Sequence, residues 1–327
     1  MRRILTALVT LAFVGSFAGC DTQEGPPDPK VSKTAFTLVD PVPTTPEPTP
    51  TVTPTPTVTP TPTPTVVPPV PVEKVLVIVE ENHSKAQMKS QMPYLKSLGD
   101  KYGEAADYDG NFHPSQPNYI VMAAGDNLGV TNNSYHKLKG RSVFADAIAA
   151  GYKAKTTADG MGKTNRCKTT GSSPYAFRHN PWVSFVLEAS LCKTYNYDYA
   201  FWSGDAAAGK LGNIHLLVPS NNHNGHDKSL KAADDWLKGA LKYVFAGPDW
   251  QSGKLAIVVT ADEDDKKSGQ NVYTVVIHPS LDHKVVTQHL DHYALNAALY
   301  KLIHQTPRGA KAKVAPDMWA AFGLTVK

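Results

Sequence analysis

Residues 75–79 read Val-Leu-Val-Ile-Val, and residues 80–83, which follow them, read Glu-Glu-Asn-His. An unbroken run of β-branched residues and leucine predicts a strand that is buried on both faces, as in a parallel sheet covered by helices. Similar apolar runs occur at residues 214–218, 255–260 and 272–277. The sequence therefore predicts a central sheet in which these strands are enclosed on both sides.

Segments with helical periodicity lie between these strands, at residues 92–102, 143–148, 230–244 and 295–303. Their apolar residues recur at intervals of three and four, which places them on one face of an amphipathic helix. Ser142 precedes the second segment and is a predicted N-cap. The alternation of strand and helix predicts an α/β fold of three layers, α/β/α, with a mostly parallel sheet and helices on both faces.

The N-terminal 20 residues have the layout of an export signal. Two arginines precede an apolar run that is too short to span a bilayer, and small residues follow it. Residues 17–20 read Phe-Ala-Gly-Cys and resemble a bacterial lipobox. We therefore expect an exported, extracellular protein that is lipid-anchored through Cys20 to the outer face of the cell membrane. The alternative is an ordinary secretory signal in which Cys20 has no special role.

Residues 21–71 differ in composition from the rest of the chain. Of the 26 prolines, 16 lie between Pro26 and Pro71, interleaved with threonine, and large apolar residues are scarce there. Such a segment cannot bury enough surface to offset its ordering entropy, so it predicts a disordered stalk. The catalytic domain is then expected at residues 72–327. The net charge of +4 is too small to indicate a nucleic-acid partner.

Two cysteines remain if Cys20 carries a lipid. Cys167 and Cys192 are 25 positions apart, and an even pair outside the cytoplasm is usually bridged. The sequence therefore favours a disulfide between them. The alternative is a pair of buried free thiols.

Oxygen-bearing side chains follow two of the predicted strands. Glu81 and Asn82 come after the first strand, and Asp262 and Glu263 follow the strand at residues 255–260. The carboxyl ends of parallel strands meet at one edge of a sheet, where active sites collect. Carboxylate and amide oxygens crowded there would repel one another unless a divalent cation neutralised them, so the four residues are candidate metal ligands.

The alternative interpretation of these strand ends is a set of solvated acidic residues. We expect that description to fit Asp264 and Asp265, which two lysines follow, and also Glu80. Strand alternation directs the side chain of Glu80 to the opposite side from that of Glu81.

Three further residues are candidates for catalysis. Residues 113–119 read His-Pro-Ser-Gln-Pro-Asn-Tyr, and the two prolines predict a turn that holds the Ser115 hydroxyl in place. A hydroxyl beside a divalent cation can become a nucleophile. His179 and His226 lie in loops and could donate to phosphate oxygens or to a leaving group. The alternative for each histidine is a structural, hydrogen-bonded role.

Taken in order, these motifs resemble the phosphoesterase family of secreted acid phosphatases and phospholipases C, within the alkaline-phosphatase superfamily. The matching motifs are Glu-Asn-His-Ser at 81–84, His-Pro-Ser-x-Pro-Asn-Tyr at 113–119, His-Asn-Pro at 179–181, Gly-His-Asp at 225–227 and Asp-Glu at 262–263, with Asp-His-Tyr at 291–293.

The resemblance implies specific roles. Glu81, Asn82, Asp262 and Glu263 would bind a divalent metal, which could be Mg, Ca, Mn or Zn, and Ser115 would be both nucleophile and ligand. It implies that His179 and His226 contact the phosphoryl group and assist the leaving oxygen. Four residues beside the matched positions would support the ligands and catalytic groups without contacting the metal or substrate themselves: His113, His223, Asp227 and His292.

The function expected from this resemblance is metal-dependent hydrolysis of a phosphate monoester through a phosphoserine. A compact domain with short connections favours a monoesterase over the first alternative, a phospholipase C-like phosphodiesterase. The second alternative is a surface lipoprotein that binds its ligand without turnover. The expected partner is a phosphate ester substrate, and its identity and the oligomeric state stay open.

Overall fold

The computed structural model of the chain describes residues 70–327. The predicted signal peptide at residues 1–20, the lipid anchor at Cys20 and nearly all of the predicted stalk at 21–71 lie outside the described residues.

An eight-stranded sheet forms the centre of this part of the chain, with strand order β5-β4-β6-β1-β7-β8-β2-β9. Strand β8 is antiparallel to its neighbours β7 and β2, and the other pairings in the sheet are parallel. A separate parallel pair joins β3 and β10. The strands are β1 (Lys74–Glu80), β2 (Gly103–Ala105), β3 (Tyr108–Asp109), β4 (Ala154–Ala158), β5 (Asn196–Asp198), β6 (Ile214–Val218), β7 (Leu255–Ala261), β8 (Thr274–Ile277), β9 (Lys284–Val286) and β10 (Leu290–Asp291).

Helices cover both faces of the sheet. On one face α3, α4 and α9 pack against one another, with α10 and α11 beside α9, and on the other face α7 packs against α1, α2, α6 and α8. The helices are α1 (Lys85–Gln91), α2 (Pro93–Lys101), α3 (Ser115–Ala124), α4 (Val143–Ala149), α5 (Ala189–Tyr195), α6 (Trp202–Ala207), α7 (Leu230–Ala246), α8 (Pro248–Gln251), α9 (His292–Leu302), α10 (Ala310–Val314) and α11 (Met318–Phe322). The predicted mostly parallel α/β/α fold is confirmed.

The predicted strands and helices form because their hydrophobic patterns agree with the capping residues at their ends. Strand β1 is buried along nearly its whole length, as its continuous apolar run requires. Helix α7 buries Leu237, Leu241 and Val244 on one face. Ser142 is the N-cap of α4, and its hydroxyl accepts the backbone N–H of Ala145.

The structure differs from the sequence-based expectation in one segment that matters for the site. Residues 113–119 are not simply a proline-rich turn, because helix α3 begins at Ser115 and continues to Ala124. Pro117 lies in the first turn of α3, where a backbone N–H would have no partner within the helix. The proline therefore does not break the helix.

The predicted disulfide between Cys167 and Cys192 is present, with a Cα–Cα distance of 5.6 Å. It joins the loop after β4 to helix α5. In residues 70–327, no helix combines the length and the apolar character that crossing a membrane would need.

Candidate active site

The site lies where β1 and β7 end side by side. In the register of this parallel pair, Glu80 lies opposite Ala261, so that Glu81 and Asp262 follow next to each other. The backbone N–H of Asp262 donates to the carbonyl of Glu80 at 3.0 Å, which continues the ladder by one step. The sheet therefore fixes the backbone of both residues.

Three carboxylates meet at these strand ends and are called the carboxylate cluster: Glu81, Asp262 and Glu263. All three are buried, with exposures of 0%, 0% and 3%. Burial raises the pKa of each carboxyl, and the charge of Asp262 raises the pKa of both Glu81 and Glu263 further. Asp262 Oδ2 is buried without a hydrogen-bond partner in the described residues. The three groups would therefore repel one another if all were ionised without a cation.

Ser115 places its hydroxyl against this cluster. The hydroxyl donates to Glu81 Oε2 at 3.1 Å, and the residue is 3% exposed. The loop before it is pinned by Asn118, whose Oδ1 accepts the backbone N–H groups of Asn111 and Phe112 at 3.0 and 2.9 Å. The first residue of α3 is therefore held at a fixed position beside the two strand ends.

Tyr119 and His179 contact the other oxygen of Glu81. The Tyr119 hydroxyl donates to Glu81 Oε1 at 2.8 Å, and His179 Nε2 lies 3.1 Å from the same atom. The two rings stack with their centres 5.1 Å apart. Burial lowers the pKa of His179, and the charges of Arg178 and His226 lower it further, so the ring is held neutral.

His226 lies next to His179 at the edge of the site, with ring centres 6.3 Å apart. Its Nδ1 donates to Asp227 Oδ1 at 2.7 Å, and its Nε2 accepts from Arg178 Nη2 at 3.3 Å. Sequence reasoning identified His226 and Asp227 and did not assign a role to Arg178.

Two expectations about the neighbouring acids were wrong. Asp264 is not a solvated strand end: it is buried and accepts the backbone N–H groups of Lys266, Ser268 and Gln270. The His113 ring connects the two acids, with Nδ1 2.9 Å from Glu263 Oε2 and Nε2 2.9 Å from Asp264 Oδ1.

Glu80 is not solvated either. It is buried, both of its carboxylate oxygens lack a partner in the described residues, and burial together with the charge of Asp234 raises its pKa to about 8. Because Asp234 lies on α7, Glu80 faces the opposite side of the sheet from Glu81, as strand alternation predicts.

The remaining predicted residues differ in their relation to the cluster. Asn82 donates its backbone N–H to Asp262 Oδ1 at 3.2 Å. His292 is buried, and its Nε2 donates to the carbonyl of Asp262 at 2.7 Å, which supports that strand end from behind. His223 makes its contacts elsewhere, with Asp159 at 2.5 Å and with the stacked ring of Trp236.

A second trio also offers closely spaced ligand atoms. In residues 70–327, the ligand atoms of Asp107, Asp109 and His289 lie within 4.8 Å of one another. The His289 side chain is 55% exposed, and its Nδ1 lies 3.4 Å from Asp107 Oδ1. This trio lies on the surface around β3, whereas the carboxylate cluster is buried.

A model of the phosphoesterase family matches residues 88–302, more than half of the chain. The match includes Ser115, His179, His226 and Asp262 and begins after Glu81.

Two curated proteins are among the relatives. The chain is 26% identical over 253 residues to a phosphatidylinositol-3-phosphatase of Mycobacterium tuberculosis, covering 75% of this chain and 82% of the relative. It is 24% identical over 177 residues to a phosphate-repressible acid phosphatase of Penicillium chrysogenum, covering 49% of this chain and 40% of the relative.

Solved structures support the fold. A protein of the alkaline phosphatase superfamily from Vibrio parahaemolyticus superposes with a TM-score of 0.51 at 13% sequence identity, covering 78% of this chain and 74% of the other. At this identity the similarity concerns the fold alone.

Proposed function

Because the chain belongs to the phosphoesterase family, we propose that it is a metal-dependent phosphate monoester hydrolase that acts through a phosphoserine at Ser115. The observation that carries this proposal is the contact of the Ser115 hydroxyl with the buried carboxylate cluster, at 3.1 Å from Glu81. A serine that only caps or packs a helix has no need of three buried carboxylates around it. The names of the two curated relatives, both phosphatases, support the same reaction class.

The residues present fit a divalent cation. Three buried carboxylates repel one another and Asp262 Oδ2 lacks a partner in the described residues, so a cation would neutralise charge that the protein itself leaves uncompensated. The donors are hard oxygens, which suit Mg, Ca or Mn and are compatible with Zn. Glu81, Asn82, Ser115, Asp262 and Glu263 would hold it. When bound, such an ion neutralises phosphoryl charge and lowers the pKa of a hydroxyl.

Different side chains carry out the successive steps of the proposed reaction. The Ser115 hydroxyl loses its proton to water, and its oxygen forms a bond to phosphorus while the bond from phosphorus to the ester oxygen breaks. His226 takes up a second proton from solvent on Nε2 and passes it to the departing oxygen. Water then attacks the phosphoserine and releases phosphate. His179, neutral and stacked on Tyr119, keeps the pocket wall rigid and can donate one N–H to a phosphoryl oxygen.

We further propose that the catalytic domain, residues 72–327, acts outside the cell, tethered by the lipid on Cys20 and the stalk at residues 21–71. The sequence features of residues 1–71 support this placement. A phosphorylated lipid is one monoester class to test, because one relative is named a phosphatidylinositol-3-phosphatase.

The test is the initial rate of p-nitrophenyl phosphate hydrolysis by the full chain, with Ser115→Ala and a chelated sample in parallel. Ser97→Ala, which removes an exposed hydroxyl on α2, is the matched control. The proposal predicts turnover by the parent and by Ser97→Ala, and loss in the other two samples that added metal reverses only for the chelated one. Hydrolysis of a diester alone would favour the phospholipase C-like alternative, and binding of phosphate without any turnover would favour a binding lipoprotein.

A further inference from the structure

Arg178 lies at the edge of the site and forms no ion pair within the described residues. Its Nη2 donates to His226 Nε2 at 3.3 Å, and in residues 70–327 no carboxylate lies within 4.0 Å of its guanidinium. Its Nε is buried without a hydrogen-bond partner in the same residues. The residue as a whole is half-buried, so an anion from solvent can supply the acceptor that the protein does not provide.

Each of the other arginines of the described chain has an acceptor or an aromatic ring as partner away from the carboxylate cluster. Arg141 and Arg308 both pair with Asp146, at 2.8 and 2.5 Å. Arg166 donates to the carbonyl of Thr194 and lies over the Tyr197 ring. Arg178 differs because its one acceptor in the described residues is His226, a candidate catalytic residue.

A chain of hydrogen bonds holds Arg178 in place. The Ser173 hydroxyl donates to Asp227 Oδ2 at 2.6 Å, and Asp227 Oδ1 lies 2.7 Å from His226 Nδ1. A carboxylate only accepts and a guanidinium only donates, so His226 carries its proton on Nδ1 and accepts from Arg178 through Nε2. When His226 Nε2 takes up a proton and donates it to a substrate oxygen, that nitrogen no longer accepts from Arg178, and the freed Arg178 donor can turn to the phosphoryl group.

The charges in the site indicate what kind of anion Arg178 binds. The carboxylate cluster carries three negative charges when ionised, and a divalent cation would neutralise two. A phosphate monoester dianion brings two more, whereas a diester brings one. We propose that Arg178 binds a non-bridging oxygen of the doubly charged phosphoryl group and thereby makes the site selective for monoesters; this inference rests on the proposed function above.

The test compares Arg178→Met and Arg178→Lys with the parent, using p-nitrophenyl phosphate and bis(p-nitrophenyl) phosphate. Arg166→Met is the matched control, because Arg166 also lacks a carboxylate within 4.0 Å. Loss of one charge-assisted donor predicts a fall of about 100-fold in kcat/KM for the monoester by Arg178→Met. For the diester we expect a fall of less than about fivefold. Arg178→Lys keeps the charge without the fork of donors and should recover part of the loss.

Inorganic phosphate provides a readout that does not depend on turnover. The inference predicts that phosphate raises the unfolding temperature of the parent and of Arg166→Met and has little effect on Arg178→Met. A purely structural role, in which Arg178 only orients His226, predicts equal losses of kcat on both esters with phosphate binding unchanged, and that result would overturn the inference. A parent that hydrolyses neither ester refutes the proposed function, and the phosphate measurement still decides whether Arg178 binds the anion.

Discussion

The buried residue His215 is expected to make the fold less stable as the pH falls. It lies inside β6, fully buried, with Nε2 2.9 Å from Thr157 Oγ1 and its ring against Trp202. Burial, with smaller effects from the charges of Lys155 and Lys74, lowers its pKa from 6.5 to about 3. The folded state therefore stays neutral at a pH where the unfolded chain takes up a proton.

The sign and size of the effect follow directly. Above pH 6.5 the imidazole is neutral in both states, so that this group adds no pH dependence. As the pH falls from 6.5 toward 3, only the unfolded chain binds the proton, and the free energy of unfolding falls by about 1.36 kcal/mol per pH unit. Between pH 7.5 and 4.5 His215 thus removes about 2.6 kcal/mol.

The perturbation is His215→Asn, which cannot titrate. Urea unfolding of the full chain, followed by tryptophan fluorescence at pH 7.5, 6.5, 5.5 and 4.5, measures the free energy of unfolding. At pH 7.5 we expect the free energy of unfolding of the variant to be about 1–3 kcal/mol lower than that of the parent, because Asn fits the site of His215 imperfectly. Between pH 7.5 and 4.5 it should fall by about 2.6 kcal/mol less than in the parent. His283→Asn, at a residue whose side chain is 76% exposed, is the control. Parallel pH profiles for the parent and His215→Asn would refute the reasoning.

Three further predictions concern the site and its support. Tyr119→Phe removes one hydrogen bond to the carboxylate cluster and keeps the ring. We expect kcat to fall roughly tenfold while the circular dichroism spectrum stays unchanged. An unaltered kcat would contradict a role of the Tyr119 hydroxyl in positioning Glu81. Replacing Cys167 and Cys192 with Ala opens a loop of 25 residues and should lower the free energy of urea unfolding by about 3 kcal/mol. The parent in reducing agent should show the same loss. A loss below about 1 kcal/mol would contradict this prediction. Asp264→Asn weakens the contact with His113 and should raise the concentration of metal needed for half-maximal activity about 10–100-fold; an unchanged metal titration would exclude this supporting role.

The sequence predicted the centre of the fold because the local signals there are strong. The apolar run of β1 and the amphipathic pattern of α7 each specify one kind of element and one buried face. The strand ends could then be assigned to one edge of the sheet, which is why Glu81 and Asp262 were expected together. Short strands such as β4, with the sequence Ala-Lys-Thr-Thr-Ala, carry no comparable pattern and were missed.

The parts of the site that escaped prediction depend on contacts between distant segments. Asp264 is followed by two lysines and reads as a surface residue, yet its own loop curls back to donate three backbone N–H groups, and His113 arrives from another segment. Arg178 acquires a role because the fold brings His226, 48 positions away, within hydrogen-bond distance. No local sequence pattern indicates that such distant segments come into contact.

The phosphoserine at Ser115 is the central claim, and the stereochemical course at phosphorus tests it most directly. A monoester made chiral at phosphorus with three oxygen isotopes would be turned over by the full chain with metal supplied, with the phosphoryl group passed to an acceptor alcohol. Attack by Ser115 followed by attack of the acceptor inverts phosphorus twice, so the account predicts net retention of configuration. Net inversion would mean a single direct displacement and would contradict the account.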